Sequence, residues 1–443
     1  MIPSCIESLD AVPFHHKYSF GHIMLFLSLV LSAAASFRCA SNVIDITMTS
    51  LQLHFTSPSW YSGRLWLLRI GYYKLNRQKQ KADDWVWIVD HTVQIGSEKC
   101  FVILGIRLCS LPLRGNCVSH EDVEPISLYP VKHSNGDIVY KQLEKAIDKT
   151  GIPKEIIGDQ GSDLASGIKK FCQAHPETCY IYDIKHKTAA VLKHELEHDE
   201  KWLEFTKLAA KTKLDVQQTP LASLSPPNQR TKSRYMNIDI LINWGLKILA
   251  FLDKQQKEAS KKFDQYQLYG KLGWIMTFRE ELKEWEDILQ IISTTESFVR
   301  KNGLYSDCHL ELKDIMALMA HTERNKIVRE QLLAFVLEEA LKAKPKERLL
   351  GSSEVIESVF GKLKRLEHDQ AKSGFTGILL SFAAMVATTT KDVVEEALKT
   401  VHTKEIYAWC KINIGQSVQS MRKEAFSSYD KTEQKRDQIV GGA

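Results

Sequence analysis

The stretch from 85 to 96, WVWIVDHTVQIG, restricts the fold more than any other part of the chain. From Trp85 to Val89 it is continuously apolar and rich in aromatic and β-branched residues, the pattern of a strand buried on both faces. Asp90 is expected to end that strand, and residues 98–108, EKCFVILGIRL, read as the next one. An ionised carboxylate at the end of a buried strand is costly unless something positive meets it. Two more carboxylates stand in comparable settings further along, and together they point to metal-dependent chemistry.

After these strands, 126–131 reads as a third strand and 137–150 as a helix closed by Gly151. Residues 154–158 form a strand running into Asp159 (KEIIGDQGSD), 162–172 a helix, and 178–182 a fifth strand ending in DIKHK. Strands followed by a helix, strand, helix and strand indicate a mixed sheet flanked by helices, an α/β core. From 188 to about 345 the strand signal vanishes. That segment is helical and charged, interrupted by the proline-containing loop 219–231, with Trp202, Trp244, Trp274 and Trp285 as core bulk. Residues 351–366, GSSEVIESVFGKLKRL, begin a new helix with Ser352 or Ser353 as cap and Ile356, Phe360 and Leu363 as its apolar stripe. A further apolar helix is expected over 374–388, and the chain fades into a polar tail.

Ahead of the first strand, 20–36, 39–54 and 59–76 read as three helices, with Ser57 as N-cap of the third and Pro58 in its first turn. Leu65, Leu68 and Tyr72 recur at helical spacing in the third helix, and Arg64, Arg69, Lys74 and Arg77 fall on its other faces. A three-helix unit with a basic last helix suits a helix-turn-helix DNA-reading head. A small helical cap with solvated basic residues fits the same residues. The run FGHIMLFLSLVLSAAAS (20–36) has some features of a signal peptide or short anchor. It is shorter than the ~20 residues of a spanning helix and is broken by Ser28 and Ser32, so a buried helix is expected and no membrane partner. The polar segment 76–84 marks a domain boundary.

The net charge of +5 over 443 residues permits a polyanionic partner without demanding one. Nine cysteines with no CxxC pair exclude a zinc knuckle or a disulfide framework. They suit a reducing compartment and mostly core positions.

Asp90 and Asp159 follow apolar strands, and in an open sheet ligand sites collect at the carboxyl ends of strands. Glu357 lies near the start of the late helix, with Lys362, Lys364 and Arg365 shortly after it. Two aspartates and a glutamate are hard oxygen ligands suited to Mg²⁺, with Mn²⁺ as a substitute. Two such ions roughly 3.5–4 Å apart serve in-line displacement at phosphorus. The bland counterpart is two turn aspartates and an exposed helical glutamate.

WVWIVDHTVQIG, IIGDQGSDLASGI, DIKH and SSEVIESVFGKLKR together resemble the DDE-type transposases of bacterial insertion sequences, most specifically in IESVFGKLK. The resemblance covers about 82–190 and 350–390. It implies an RNase H-like catalytic core with an all-α insertion and an N-terminal helical, helix-turn-helix-like domain. The implied domains are 1–80 for DNA binding, 81–190 and 347–430 for the two parts of the core, 191–346 for the insertion, and 431–443 for a polar tail. Asp90, Asp159 and Glu357 are then the catalytic and metal-binding triad, with Asp163 and Glu354 less well placed. Asp183 and His186 of DIKH match a Cys/Asp-x-x-His signature that orders the active site or the DNA end. Arg230, Lys232 and Arg234, beside the proline loop, offer phosphate contacts, as do Lys362, Lys364 and Arg365 and, in the N-terminal helices, Arg64 and Arg69. A solvated basic linker fits 229–237 equally well.

The reaction implied is phosphoryl transfer with no covalent enzyme intermediate. Water cuts a strand at the element's end, and the 3′-hydroxyl left behind attacks target DNA. The expected partners are double-stranded DNA, both transposon ends and target, and further copies of the chain as a dimer or larger assembly. The expected place is the bacterial cytoplasm, at the nucleoid. An RNase H-like nuclease without strand transfer has the same triad, and a transposase-derived DNA-binding protein without catalysis is the other alternative.

Overall fold

The computed structural model describes residues 9–52, 56–93, 99–229, 238–257, 263–368, 377–415 and 421–427. The chain divides into two compact units. One comprises Met1–Pro112, Val118–Tyr180 and Ser353–Ala443; the other comprises Leu113–Cys117 and Ile181–Ser352. These divisions differ from the expected bounds: the segment expected as a separate domain over 1–80 shares its unit with the chain beyond 353, and the helical unit begins at 181, not 191.

In the first unit, α1 (Phe20–Leu31), α2 (Phe37–Ser50) and α3 (Trp60–Asn76) are each capped by a serine, Ser19, Ser36 and Ser59, whose side chain accepts a backbone N–H of the first turn. The cap of α3 is therefore Ser59, not Ser57; the Ser57 hydroxyl instead donates to Asp45, 2.8 Å away. The apolar run of α1 is buried through Phe20, Ile23, Phe26, Leu27 and Val30. Among the described residues no helix is long and apolar enough to cross a membrane.

The strands are β1 (Trp85–Val93), β2 (Lys99–Arg107), β3 (Glu124–Val131), β4 (Glu155–Gly158) and β5 (Cys179–Tyr182), in the order β3-β2-β1-β4-β5. β1 pairs antiparallel with β2 and parallel with β4, so the sheet is mixed as expected. The strand expected to stop at Asp90 continues to Val93, because Asp90 pairs with Val102 inside the β1–β2 ladder. Between the strands lie α4 (Gly136–Thr150) and α5 (Ser162–Ala174). Gly151 closes α4 at φ +91°, in the left-handed region where glycine alone is unstrained.

Side chains alternate across the sheet. Trp85, Trp87, Val89, Phe101 and Ile103 face α4 and α5, packing with Val139, Leu143, Ile168 and Phe171. Val86, Ile88, Val102, Leu104 and Ile157 point the other way and are no more exposed than their counterparts. Burial on both faces is what the unbroken apolar run demanded.

The second unit is helical: α6 (Ile184–Leu196), α7 (Glu200–Val216), α8 (Asp239–Lys257), α9 (Gln265–Leu272), α10 (Arg279–Asn302), α11 (Cys308–Ile315) and α12 (Glu323–Ala340). Its core is aromatic. Trp202 meets Trp285 edge-on at 5.1 Å, and Phe205 lies within 5.5 Å of Trp274, Phe278 and Trp285. Arg324 of α12 gathers Glu195, Asp199 and Glu284 at 3.0, 2.8 and 3.2 Å, tying three helices together.

Back in the first unit run α13 (Glu354–His368), α14 (Ser381–Ala384), α15 (Lys391–Thr400) and α16 (Thr403–Asn413). The single helix expected over 374–388 is instead a 3₁₀ turn, Gly377–Leu380, followed by the short α14; residues 374–376 lie outside the described residues. α3 packs against α1, α2, α14, α15 and α16. Trp66, Leu67, Leu68, Ile70, Lys74 and Leu75 of α3 are all buried. A helix enclosed in this way keeps little free face for reading a groove, so the helix-turn-helix expectation gives way to a core role. The eight described cysteines are free, and only Cys100 and Cys308 are buried, fewer than the sequence suggested.

Candidate active site

β1 and β4 position the two aspartates. Val86, Trp87 and Ile88 pair in parallel with Glu155, Ile156 and Ile157. Continuing that register by two residues sets Asp90 beside Asp159. Gly158 supports the continuation, since a Cβ there would sit 3.1 Å from Val89 Cγ2. Paired residues on neighbouring strands share a face and stand about 4.8 Å apart; the ladder itself ends at Ile88 opposite Ile157, and Asp159 directly follows β4. Both aspartates are half-buried. Asp90 Oδ1 accepts the His91 N–H at 2.6 Å, and Asp159 Oδ1 accepts the Gly161 N–H at 3.0 Å. The Tyr180 hydroxyl donates to the Asp159 carbonyl.

α13 packs against β1 and carries Glu357, half-buried, in its first turn. α4 and α5 fill the opposite face of the sheet, so α13 belongs to the face of the two aspartates. Ser352 and Ser353, just ahead of it, are buried, as are Ile356, Val359, Phe360 and Leu363 on its inner side. Among the described residues, the ligand atoms of Asp90, Asp159 and Glu357 are not all within 4.8 Å of one another. A pair of divalent ions spans more than that: two ions 3.5–4 Å apart with Mg–O bonds near 2 Å separate the outermost oxygens by up to about 8 Å. The donor set is all hard oxygen, and adjacent carboxylates repel without a cation between them, so the residues fit Mg²⁺.

On the other face, sequence reasoning missed a polar cluster behind Asp90. His91 is buried, its ring 5.3 Å from Phe101 and its Nε2 3.1 Å from Ser134 Oγ. Its Nδ1 lies 3.8 Å from Asp163, which accepts from Lys99 Nζ at 2.9 Å. Burial pushes His91 down to about 4, partly opposed by Asp163. Although burial alone would raise Asp163, hydrogen bonds from Lys99 and Ser134 hold it down at about 2. Asp163 is thus committed to an ion pair with Lys99. The period-two alternation about Asp90 was the available signal for this cluster.

Asp183 is fully buried in the second unit and caps α6 by accepting the His186 N–H at 3.2 Å, with His186 Nε2 4.0 Å from the same oxygen. Lys362 Nζ lies 3.2 Å from His120 Nε2, whereas Lys364 and Arg365 of the same helix are exposed. Arg69, expected as a phosphate contact, is half-buried, donates to the Leu398 carbonyl and lies 3.2 Å from His16 Nε2. Lys74 is also drawn inside, its Nζ 2.8, 2.7 and 2.7 Å from Val386 O, Ala387 O and Thr389 Oγ1. Arg77 pairs with Glu124, and Arg64 is half-buried. Arg230, Lys232 and Arg234 lie outside the described residues.

No family model matches the chain, and no curated protein matches it. Among solved structures it is similar to one described as the Drosophila P element transposase strand transfer complex, with a TM-score of 0.36 and 12% identity over 88% of this chain and 94% of that one. At that TM-score and identity the likeness fixes neither fold nor activity.

Proposed function

We propose that the chain is a DDE-type transposase with an RNase H-like core, cutting DNA at element ends and joining them to target DNA by Mg²⁺-dependent phosphoryl transfer. What supports this is the parallel pairing of β1 and β4 at the centre of a sheet ordered β3-β2-β1-β4-β5, with Asp90 two residues beyond the paired Ile88 and Asp159 two beyond its partner Ile157, and with α13 packed against β1. The motif resemblance around these residues and around Glu357 supports it.

Asp90 and Asp159 hold the cations from the sheet, and Glu357 holds them from α13. The His91 and Gly161 N–H groups each fix one oxygen of an aspartate. Bound Mg²⁺ supplies charge neutralisation at phosphorus and lowers the pKa of the attacking water. Lys364 and Arg365, exposed on α13, steady backbone phosphates, and Lys362 sits beside them. Asp183 and His186 order their own helix start in a supporting role. Synapsis of two ends calls for a dimer or larger assembly on DNA.

The test is incubation with DNA carrying the element's ends and a target plasmid, in Mg²⁺ or Mn²⁺. Nicked ends and joined products are expected, both lost in Asp90→Ala, Asp159→Ala and Glu357→Ala while DNA binding persists. Cleavage without joining would select the nuclease alternative. Robust cleavage by any one variant would remove that residue from the site.

A further inference from the structure

On the face of the sheet that α4 and α5 cover, one polar cluster touches four elements. Successive residues of a strand point to opposite faces, so His91 of β1 projects away from Asp90. Its side chain is 6% exposed. The ring Nε2 lies 3.1 Å from Ser134 Oγ, in the connection from β3 to α4, and Nδ1 lies 3.8 Å from Asp163, in the first turn of α5. Lys99 of β2 donates to Asp163 at 2.9 Å. Drawing such groups out of water costs free energy that well-packed apolar side chains would not, so packing alone is a poor reason for them.

The cluster reaches both aspartates through the backbone. The His91 N–H donates to Asp90 Oδ1 at 2.6 Å, so whatever holds the imidazole also holds the peptide that orients this carboxylate. Asp163 stands four residues beyond Asp159, with Gly161 between them. The Gly161 N–H donates to Asp159 Oδ1 at 3.0 Å, and its carbonyl accepts the Ala165 N–H at 2.8 Å in the first turn of α5. Anchoring Asp163 to Lys99 and His91 therefore anchors the turn that orients Asp159. A Cβ at position 161 would lie 3.1 Å from Asp159 Oδ1, which leaves that turn little slack. Carboxylates gathered for a cation repel one another before it arrives, and groups that hold such ligands in place are worth about 10–100-fold in metal affinity. We propose that His91 and Asp163 are positioning residues that pre-set Asp90 and Asp159 for divalent cations, a role that rests on the cation-binding reading above.

The test is calorimetric titration of Mn²⁺ into the full chain, wild type beside Asp163→Asn and His91→Phe, which keeps a ring and loses both nitrogens. Both variants are expected to bind as many cations as wild type but roughly tenfold or more weakly. His91→Gln, whose amide can still meet Ser134, should recover part of that loss. A merely structural role would lower the melting temperature and leave the affinity alone. Asp137→Asn breaks the exposed Asp137–Lys170 pair between α4 and α5 and should bind as wild type does. Circular dichroism checks folding. Lys99, with its side chain 32% exposed, supplies a milder variant, and Lys99→Met should weaken binding at least threefold even where the buried variants do not fold. Wild-type affinity in the folded variants would overturn the positioning role and leave the carboxylate site standing. Loss of a whole cation would make these residues ligands and overturn it as well. A folded wild type that binds no divalent cation would overturn the cation-binding reading itself, and this role with it.

Discussion

Lys74 shows how far a single side chain can depart from its apparent place in the sequence. In LRIGYYKLN it reads as one basic residue on an exposed helical face, yet it is fully buried, with its ammonium among backbone carbonyls and a threonine hydroxyl. Burial, aided by repulsion from Arg77, pushes it down to about 7. The unfolded chain keeps this proton up to about 10.5 and the folded chain gives it up near 7, so stability increases as pH rises through that window. Lys79 and Lys149, each lowered to about 8 mainly by burial, act in the same direction. Urea unfolding should therefore give a higher free energy at pH 9 than at pH 7. Lys74→Met should flatten that rise by up to about 1 kcal/mol per pH unit. An identical pH slope in the variant would show that Lys74 keeps its ordinary titration in the fold. The strands before the two aspartates were more legible, since an apolar run is visible in one dimension, whereas the register of β1 on β4 is encoded by no local pattern.

At the scale of elements, α3 separates what patterning can tell from what it cannot. Its span was nearly right, because helical periodicity is a local signal, although the cap is Ser59 and not the expected Ser57. Its role was not, because only the packed chain shows that helices more than 300 residues later enclose it. Gly71 records that closeness: a Cβ there would lie 1.9 Å from the Leu380 carbonyl oxygen, a backbone atom that cannot swing aside. Gly71→Ala should cost about 1–3 kcal/mol in unfolding free energy. A neutral effect would mean that α3 and the 377–384 segment do not pack this closely. On α13 the exposed Lys364 is the simpler candidate for DNA contact. Lys364→Ala should weaken binding equally across sequences and reduce the salt slope of log K by about 1; an unchanged slope would take Lys364 off the phosphate backbone.

For the molecule as a whole, the sheet unit is assembled from three separated stretches of chain, with the helical unit formed mainly by the segment between 181 and 352. The all-helical block was legible because the strand signal simply stops and four tryptophans supply bulk there. The joining of the N-terminal helices to the C-terminal ones was not, since nothing in their amphipathicity names the partner that covers them. The same long-range assembly brings Glu357 to the face of the sheet that bears Asp90 and Asp159. The central claim is that these three side chains hold a common pair of divalent cations. Calorimetric titration of Mn²⁺ into the full chain tests it most directly, beside Asp90→Asn, Asp159→Asn and Glu357→Gln. Two Mn²⁺ per wild-type chain are expected, with at least one lost in every variant; unchanged stoichiometry and affinity in all three would rule out a shared cation site.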